Sequence, residues 1–285
     1  MEIKISNLNK RYGKFEALKN INLEIGQGMY GLLGRNGAGK TTILRILATM
    51  SSKTDGEILI NSIPIENRKE IRKIIGYLPQ GFSVYPNMSV WNTMEYFDIL
   101  SEMPTKYRKQ RIQMLLQKVN LWEERKRKVK HLSGGMKQRL GIALTLINNP
   151  QIIIADEPTA GLDPEERIRL RNMLNDLSKD KIVILSTHIV DDISTTCNKI
   201  GVLHEGNLLF DGEAKVLENM ALNKVFIVAG ENNIPKDAEI INKIDGKIRI
   251  LSNVLPMGKY EKVMPTLEDG YIELIKNEEV EDEII

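Results

Sequence analysis

The chain has 285 residues, of which 42% are hydrophobic, so it is long enough for one large domain with a small appendage. Its 40 basic and 38 acidic residues nearly cancel, which gives no support for binding to nucleic acid or to an anionic membrane surface. The single cysteine cannot form an internal disulfide, and no apolar stretch approaches the roughly 20 residues of a membrane-spanning helix. We therefore expect a reduced, cytoplasmic chain without a signal peptide and without a nucleic-acid partner.

The predicted elements of the first half are short strands followed by a helical insert. The first sixty residues indicate short strands joined by Gly and Asn turns, with one helix-like interruption, and residues 57–60 fit a hairpin strand. From Ser89, which can cap a helix, the pattern becomes helical. Four apolar residues then recur at helical spacing, namely Ile112, Leu115, Leu116 and Val119. We expect a helical unit over about residues 84–150.

The sequence pattern of the second half predicts buried strands, followed by a small segment of mixed secondary structure. Two nearly continuous apolar runs, 152–155 and 182–185, are separated by a charged helical stretch, which is typical of fully buried parallel strands. Beyond about residue 225 the pattern indicates a small mixed segment with strands near 225–228 and 248–251. The chain closes with an acidic tail at 278–283, which we expect to be solvated.

The first chemical motif fits the phosphate-binding pattern G-x-x-x-x-G-K-[ST]. It reads Gly34, Arg35, Asn36, Gly37, Ala38, Gly39, Lys40, Thr41 and Thr42. Glycines allow backbone N–H groups to surround phosphates, and the following helix N-terminus favours negative charge. We expect Lys40 to reach the β- and γ-phosphates of a nucleotide and the Thr41 hydroxyl to bind Mg²⁺.

A second motif supplies carboxylates that could act on the bound phosphates and Mg²⁺. The apolar run that begins at Ile152 ends in Asp156 and Glu157, and it resembles a Walker B motif. We expect Asp156 to anchor Mg²⁺ and Glu157 to orient or deprotonate the attacking water. Taken alone, such a pair is more often a strand end with exposed charge. The phosphate loop upstream favours the functional interpretation.

The segment from Leu132 to Met136 narrows the prediction to one family. It closely resembles the Leu-Ser-Gly-Gly-Gln signature of the ATP-binding cassette (ABC) family, with Ser133, Gly134 and Gly135 matching and Met136 departing from the pattern. An isolated match could be only a helix cap. Its place between the phosphate loop and the carboxylates favours the signature, and Met136 supplies no amide.

The resemblance implies roles for four further residues. Tyr12 resembles the aromatic residue that stacks on adenine, with core packing as the alternative. Gln80 resembles the glutamine that touches Mg²⁺ and senses the membrane partner, so it joins Glu157 and His188 in the predicted catalytic set. Asp163 resembles part of the loop that crosses the dimer interface, or it caps the helix that follows. His188 resembles the switch histidine that contacts the γ-phosphate.

The resemblance spans about residues 1–220 and implies a fold class. The implied fold is an α/β P-loop NTPase of the ABC cassette type, with a mixed-sheet core, an antiparallel β subdomain, a helical subdomain and a small C-terminal α+β extension. We place the ATP-binding domain at 1–222 and an accessory region at 223–285. Segment 265–271 resembles the close of exporter-type cassettes.

The resemblance also implies partners. Two cassettes, identical or different, would face each other with ATP between one phosphate loop and the other signature. A separate transmembrane permease would hold the chain at the inner face of the membrane, and we expect contact near Phe82, Tyr85, Trp91 and Phe97. The alternative is a non-transport ABC ATPase acting in translation or DNA repair, although such proteins normally carry two cassettes or a long coiled-coil insert.

Overall fold

The computed structural model describes residues 1–101 and 103–284, with the side chains of that range up to residue 278. Its strands form three sheets, which are an antiparallel sheet from the first 64 residues, a six-stranded central sheet and a four-stranded sheet near the C-terminus. Helices follow several of the central strands and also form an insert. The predicted α/β fold class, with its antiparallel, helical and C-terminal units, is confirmed.

The antiparallel sheet has the order β2-β1-β4-β5. Its strands are β1 (Glu2–Tyr12), β2 (Phe15–Gly26), β4 (Asp55–Ile60) and β5 (Ile63–Pro64). Strand β4 confirms the predicted hairpin strand at 57–60. The expectation of short strands was wrong for β1 and β2, which have 11 and 12 residues. Register shifts after Ile5, Leu8 and Lys10 interrupt the two-residue alternation, so the sequence resembles several shorter strands.

The central sheet has the order β10-β9-β3-β8-β7-β6, and all neighbours are parallel except β10 and β9. Its strands are β3 (Gly28–Leu33), β6 (Ile75–Leu78), β7 (Ile152–Asp156), β8 (Ile182–Thr187), β9 (Lys199–His204) and β10 (Asn207–Glu213). Every residue of β7 and β8 is buried, as predicted for the two apolar runs. The carboxyl ends of the parallel strands therefore meet at one edge.

The helical insert consists of α3 (Val90–Leu100), α4 (Arg108–Lys118) and α5 (Gly134–Thr145). Ser89 caps α3, because its Oγ accepts a hydrogen bond from the N–H of Asn92 at 3.1 Å. The apolar residues predicted to share one face of α4 and its end are all buried, namely Ile112, Leu115, Leu116 and Val119. These residues belong to the same buried apolar cluster as side chains of the central sheet, so the insert packs on the main core.

Most of the remaining helices pack on strands of the central sheet. They are α1 (Lys40–Leu47), α2 (Arg68–Ile74), α6 (Pro164–Ser178), α7 (Val190–Ser194), α8 (Ala214–Asn219) and α9 (Leu267–Ile284). The C-terminal sheet, of order β12-β13-β11-β14, comprises β11 (Val225–Ala229), β12 (Glu239–Ile244), β13 (Lys247–Leu251) and β14 (Tyr260–Lys262). The predicted strands near 225–228 and 248–251 are confirmed.

Helix α9 returns to the main body of the chain. It packs against α7 and α8, and a Cβ at Gly270 would lie only 2.1 Å from the carbonyl oxygen of Leu217, so this close approach requires glycine. Leu267 and Ile275 of α9 join the main core. The division at residue 222 stays a prediction, and the side chains at 279–283, most of the acidic tail, lie outside the described residues.

The buried thiol of Cys197 gives a first testable prediction. The residue is 4% exposed, and burial raises the pKa of its thiol to about 12. Because the thiolate is the reacting form, we expect Ellman's reagent at about pH 8 to label the folded chain at least about 100-fold more slowly than the urea-unfolded chain. Stopped-flow absorbance measures both rates, and similar rates in the two states would contradict this burial.

Candidate nucleotide site

The phosphate-loop segment 34–39 connects β3 to α1 and depends on its glycines. Gly37 and Gly39 have φ angles of 88° and 109°, which L side chains rarely adopt. Gly34 is required for a different reason, because a Cβ there would lie 2.4 Å from the carbonyl oxygen of Leu203. The loop can therefore hold its compact path only with glycine at these positions.

The Lys40 ammonium group lies inside this loop. Its Nζ donates hydrogen bonds to the carbonyl oxygens of Gly34 at 2.7 Å and Arg35 at 3.1 Å, and lies 3.6 Å from Oε1 of Glu157. Burial lowers the pKa of Lys40, while the carboxylates of Glu157 and Asp156 act in the opposite direction. Phosphate groups bound beside it would favour the charged ammonium in the same way.

Asp156, the last residue of β7, offers an oxygen to a metal ion. Its Oδ1 accepts a hydrogen bond from Ser186 Oγ at 2.5 Å, while its Oδ2 is buried and has no hydrogen-bond partner among the described residues. Such an oxygen costs free energy unless it is satisfied, and carboxylate oxygen is a ligand that Mg²⁺ prefers. Thr41 lies in the first turn of α1, beside Lys40.

The carboxylate of Asp156 can be compared with the ligands that different metal ions prefer. In the part of the chain that the structure describes, no group of three or more His, Cys, Asp or Glu side chains could hold a metal ion. Mg²⁺ usually keeps several waters and is bound through one or two carboxylates together with substrate phosphates. The orphaned oxygen of Asp156 beside a phosphate loop fits that kind of ion.

Glu157 and His188 form a second polar contact at the strand ends, beside that of Ser186 with Asp156. Glu157 has a φ of 49°, an uncommon conformation for a residue other than glycine, and its N–H donates to the carbonyl oxygen of Ser186 at 3.1 Å. His188 Nδ1 lies 2.8 Å from Oε2 and 3.0 Å from Oε1 of Glu157. The Glu157 side chain is 6% exposed and that of His188 is 42% exposed, so a buried carboxylate meets an imidazole open to solvent.

Gln80 is placed at the same edge by the sheet. It is exposed and lies two residues beyond the end of β6, where Leu78 pairs with Ala155 of β7. The carboxyl end of β6 is therefore next to the end of β7 that carries Asp156. The pairing of these strands therefore places Gln80 near the strand end that carries Asp156, the predicted metal ligand.

Tyr12 stands at the end of β1 and is 49% exposed, so the alternative of core packing does not apply. Lys10 Nζ lies 4.7 Å from the centre of its ring, and Phe15, across the same turn, is 65% exposed. Beside the phosphate loop, a cleft of about 610 Å³ is lined by residues 14–17, 19, 35–38 and 204–206. This cleft is of a size that accepts a small organic ligand.

Ser133 of the signature segment and Asp163 are both helix caps in this structure. Ser133 Oγ accepts from the N–H of Met136 at 3.2 Å, and Asp163 Oδ1 accepts from the N–H of Glu166 at 2.9 Å. Gly135 is crowded, because a Cβ there would lie 2.4 Å from Oε2 of Glu166. Helix α5 packs on α3, α4, α6 and β6, whereas α1 packs on β2 and β7, so different elements position the signature and the phosphate loop.

Comparison with known proteins places this geometry in a family. The model of the family described as ABC transporter matches residues 18–160. The lantibiotic transport ATP-binding protein SrtF of Streptococcus pyogenes is 39% identical over 220 residues, covering 76% of this chain and 93% of SrtF. The chain belongs to the ABC transporter family. The bacitracin transport ATP-binding protein BcrA of Bacillus licheniformis is 34% identical over 288 residues, covering 96% of this chain and 92% of BcrA.

A solved structure similar to this chain contains the products of ATP hydrolysis. The dimeric post-hydrolysis state of the ATP-binding cassette MJ0796, bound to ADP and Pi, matches with a TM-score of 0.67 and 29% identity, covering 74% of this chain and 98% of that one. The ABC chain described here is thus an ATPase that uses ATP and Mg²⁺. Among the described residues, no helix has both the length and the apolar character needed to cross a bilayer.

Two residues near the ABC site, Ser186 and His204, lie outside the motifs by which the site was predicted. Ser186 holds both Asp156 and Glu157, yet it is an ordinary serine at the end of a strand. His204 lines the cleft only because the β9–β10 turn approaches the phosphate loop, where Gly206 N–H donates to the carbonyl oxygen of Ala38. Pairing of distant segments, rather than a local pattern, brings these residues to the site.

Proposed function

We propose that this chain is the ATP-hydrolysing subunit of a transporter whose permease is a separate chain, and that transport is outward. The convergence of Lys40, Asp156, Glu157 and His188 at one edge of the central sheet carries the ATPase part. SrtF and BcrA support the transporter part, since both are named as transport ATP-binding proteins and align over 93% and 92% of their length. The exporter-like segment 265–271 supports the direction.

In the proposed site, residues 34–42 hold the triphosphate of ATP. The backbone N–H groups of the loop and the N-terminus of α1 face the phosphates, and Lys40 contacts the β- and γ-phosphates. Tyr12 stacks on the adenine ring, and the neighbouring cleft gives the nucleoside room at the β1–β2 turn. The exposure of Tyr12 supports this role, because its ring is open to a ligand.

The catalytic end of the proposed site combines a metal ion with a base. Thr41, Asp156 and Gln80 hold Mg²⁺, which when bound neutralises the charge that develops on the transferred phosphoryl group. Glu157 takes the proton of the attacking water, and His188 orients the Glu157 carboxylate and contacts the γ-phosphate. The 2.8 Å contact between His188 and Glu157 supports the pairing.

We further propose that two cassettes complete each site. Ser133, Gly134 and Gly135 at the start of α5, with Asp163 before α6, would contact the ATP held by the phosphate loop of the second cassette. The start of a helix capped by Ser133 favours an anion. The second cassette is either another copy of this chain or a different one.

The permease contact of this proposal lies at the exposed part of the helical unit. Tyr85 and Tyr96 are 52% and 38% exposed and their rings meet edge to face at 5.6 Å, while Phe82, Trp91 and Phe97 are half-buried against the core. We name Tyr85 and Tyr96 the tyrosine edge and assign docking chiefly to it, because exposed aromatic residues make strong interface anchors. Docking there holds the chain at the cytoplasmic face of the membrane.

Capture from the cells that produce the chain tests this function. The tagged chain replaces the chromosomal copy, is extracted in mild detergent, and should recover a membrane protein with several spanning segments. The double variant Tyr85→Ala with Tyr96→Ala should recover at least about 10-fold less of it, since interface anchors each contribute about 2 kcal/mol or more. Tyr107→Ala, at a 53% exposed tyrosine of the same helical unit, is the matched control and should recover the full amount.

Two results would contradict the proposal. Recovery of ribosomal or DNA-repair proteins without any membrane protein would indicate the non-transport alternative. Equal recovery by the tyrosine-edge variant and the wild-type chain would show that the permease docks elsewhere.

A further inference from the structure

Two segments at the proposed site are joined by successive side-chain contacts. Segment 156–159 follows β7, and segment 186–192 runs from the end of β8 into α7. The contacts of Ser186 with Asp156 and of His188 with Glu157 are described above. Further along both segments, Thr159 Oγ1 donates a hydrogen bond to Asp192 Oδ2 at 2.6 Å. This third pair has no role in the site as proposed.

Asp192 is a fully buried carboxylate with an unusual set of neighbours. Its exposure is 0%, and that of Thr159 is 1%. Its other oxygen, Oδ1, makes no hydrogen bond within the described residues and faces two guanidinium groups of α6, with Arg171 at 3.8 Å and Arg167 at 3.9 Å. A buried charge is costly unless it is paired, so these contacts fix Asp192 between α6 and α7.

The position of Thr159 in the chain gives this hydrogen bond its significance. Thr159 lies two residues after Glu157, whose positive φ persists only while the surrounding structure holds it. Ser186 holds the N–H of Glu157, and Asp192 holds the chain two residues later. Both anchors belong to the segment that carries His188. Four residues after Thr159 comes Asp163, at the start of α6.

We propose that Asp192 is a positioning residue for ATP hydrolysis. Through Thr159 it fixes the turn that directs the Glu157 carboxylate toward His188, and it connects that turn to the loop that carries Asp163. This proposal rests on the roles proposed above for Glu157 and His188. It adds a residue that touches neither nucleotide nor metal and acts through the geometry of the base.

Removal of one hydroxyl group tests the proposal with little change of shape. For Thr159→Val we expect kcat to fall about 10- to 100-fold, because small misplacement of a reacting group is costly, while KM for ATP stays within about twofold. Thr159→Ser keeps the hydroxyl and should recover most of kcat. The matched control is Thr93→Val, which removes another buried hydroxyl, bonded at 2.9 Å to the carbonyl oxygen of Ser89. It should keep the wild-type kcat.

Three outcomes would overturn the positioning role. Thr159→Val could lower Tm as a structural hydrogen bond would, yet leave kcat unchanged. Thr159→Ser could fail to restore kcat. The third outcome comes from a double-mutant cycle that combines Thr159→Val with Asp192→Ala. If the two residues act as a pair, kcat of the double variant should be no lower than that of Asp192→Ala alone. A double variant whose loss of kcat is the product of the two single losses would contradict the proposal.

Glu157→Gln, measured in the same full-length chain, separates this proposal from the proposed function. If Glu157→Gln stops hydrolysis and Thr159→Val leaves kcat unchanged, the positioning role of Asp192 is wrong and the site stands. If Glu157→Gln itself leaves hydrolysis unchanged, the proposed site is wrong.

Discussion

Glu157→Gln is expected to lower ATP hydrolysis by about 10²- to 10⁴-fold, the range for loss of a general base, while ATP binding persists. Glutamine keeps the size of the side chain at a position that is 6% exposed, and it can still contact His188 and Lys40. What it loses is the ability to take a proton from water. Phosphate release measures hydrolysis, and equilibrium binding of a fluorescent ATP analogue measures affinity.

The control for this prediction is Glu165→Gln. It makes the same chemical change at a side chain that is 83% exposed, and the variant should hydrolyse ATP at the wild-type rate. An unchanged rate in Glu157→Gln would exclude Glu157 as the base. A loss of ATP binding in Glu157→Gln would indicate instead that the carboxylate supports the phosphate loop.

Lys40→Met is expected to weaken ATP binding by about 10- to 100-fold and to remove hydrolysis with it. Methionine keeps an unbranched apolar stem but has no ammonium group, and hydrogen bonds to charged groups contribute about 1.5–3 kcal/mol each. The Nζ atom is buried where the phosphates would lie, with hydrogen bonds to Gly34 and Arg35. Isothermal titration with ATP and Mg²⁺ measures the loss of affinity.

The matched variant for Lys40→Met is Lys179→Met, at an exposed lysine paired with Asp176. It should bind ATP as the wild-type chain does. Wild-type affinity in Lys40→Met would show that this loop does not hold the phosphates.

Because burial already lowers the pKa of Lys40, we also expect bound phosphate to raise that pKa again, so nucleotide binding should take up protons at alkaline pH.

The parts of this molecule that follow from local patterns could be predicted from the sequence. Strands β7 and β8 were predicted because parallel strands buried on both faces consist of continuous apolar residues. The phosphate loop was predicted because its residues fit the pattern G-x-x-x-x-G-K-[ST], and the positive φ angles of Gly37 and Gly39 show the local backbone geometry behind two of its glycines. The structure then brings Lys40, Asp156, Glu157 and His188 together as the motif order indicated.

The parts that depend on distant contacts could not be predicted in the same way. Bulges in β1 interrupt its alternation, so a long hairpin looked like shorter strands. The half-buried Phe82, Trp91 and Phe97 were grouped with the exposed Tyr85, because aromatic residues in a helical pattern do not reveal which of them face solvent. The Thr159–Asp192 hydrogen bond joins residues 33 positions apart, and no local pattern marks it.

Ser133 and Asp163 can act both as helix caps and as contacts for a nucleotide. Ser133 and Asp163 were each weighed as a helix cap or as part of a nucleotide interface, and the structure shows that both are caps. A cap uses one side-chain oxygen to accept an N–H, and it leaves the rest of the helix N-terminus able to face an anion. Capping is therefore compatible with the proposed contact across two cassettes.

The most direct test of the central claim is phosphate release by the complex captured from native membranes through this chain. The measurement compares the complex formed by the wild-type chain with the one formed by Glu157→Gln, in cells without the chromosomal copy. We predict that both chains recover the same membrane protein, and that only the wild-type complex releases phosphate rapidly when ATP and Mg²⁺ are added. Equal phosphate release from the two complexes, or release that does not need Mg²⁺, would contradict the account.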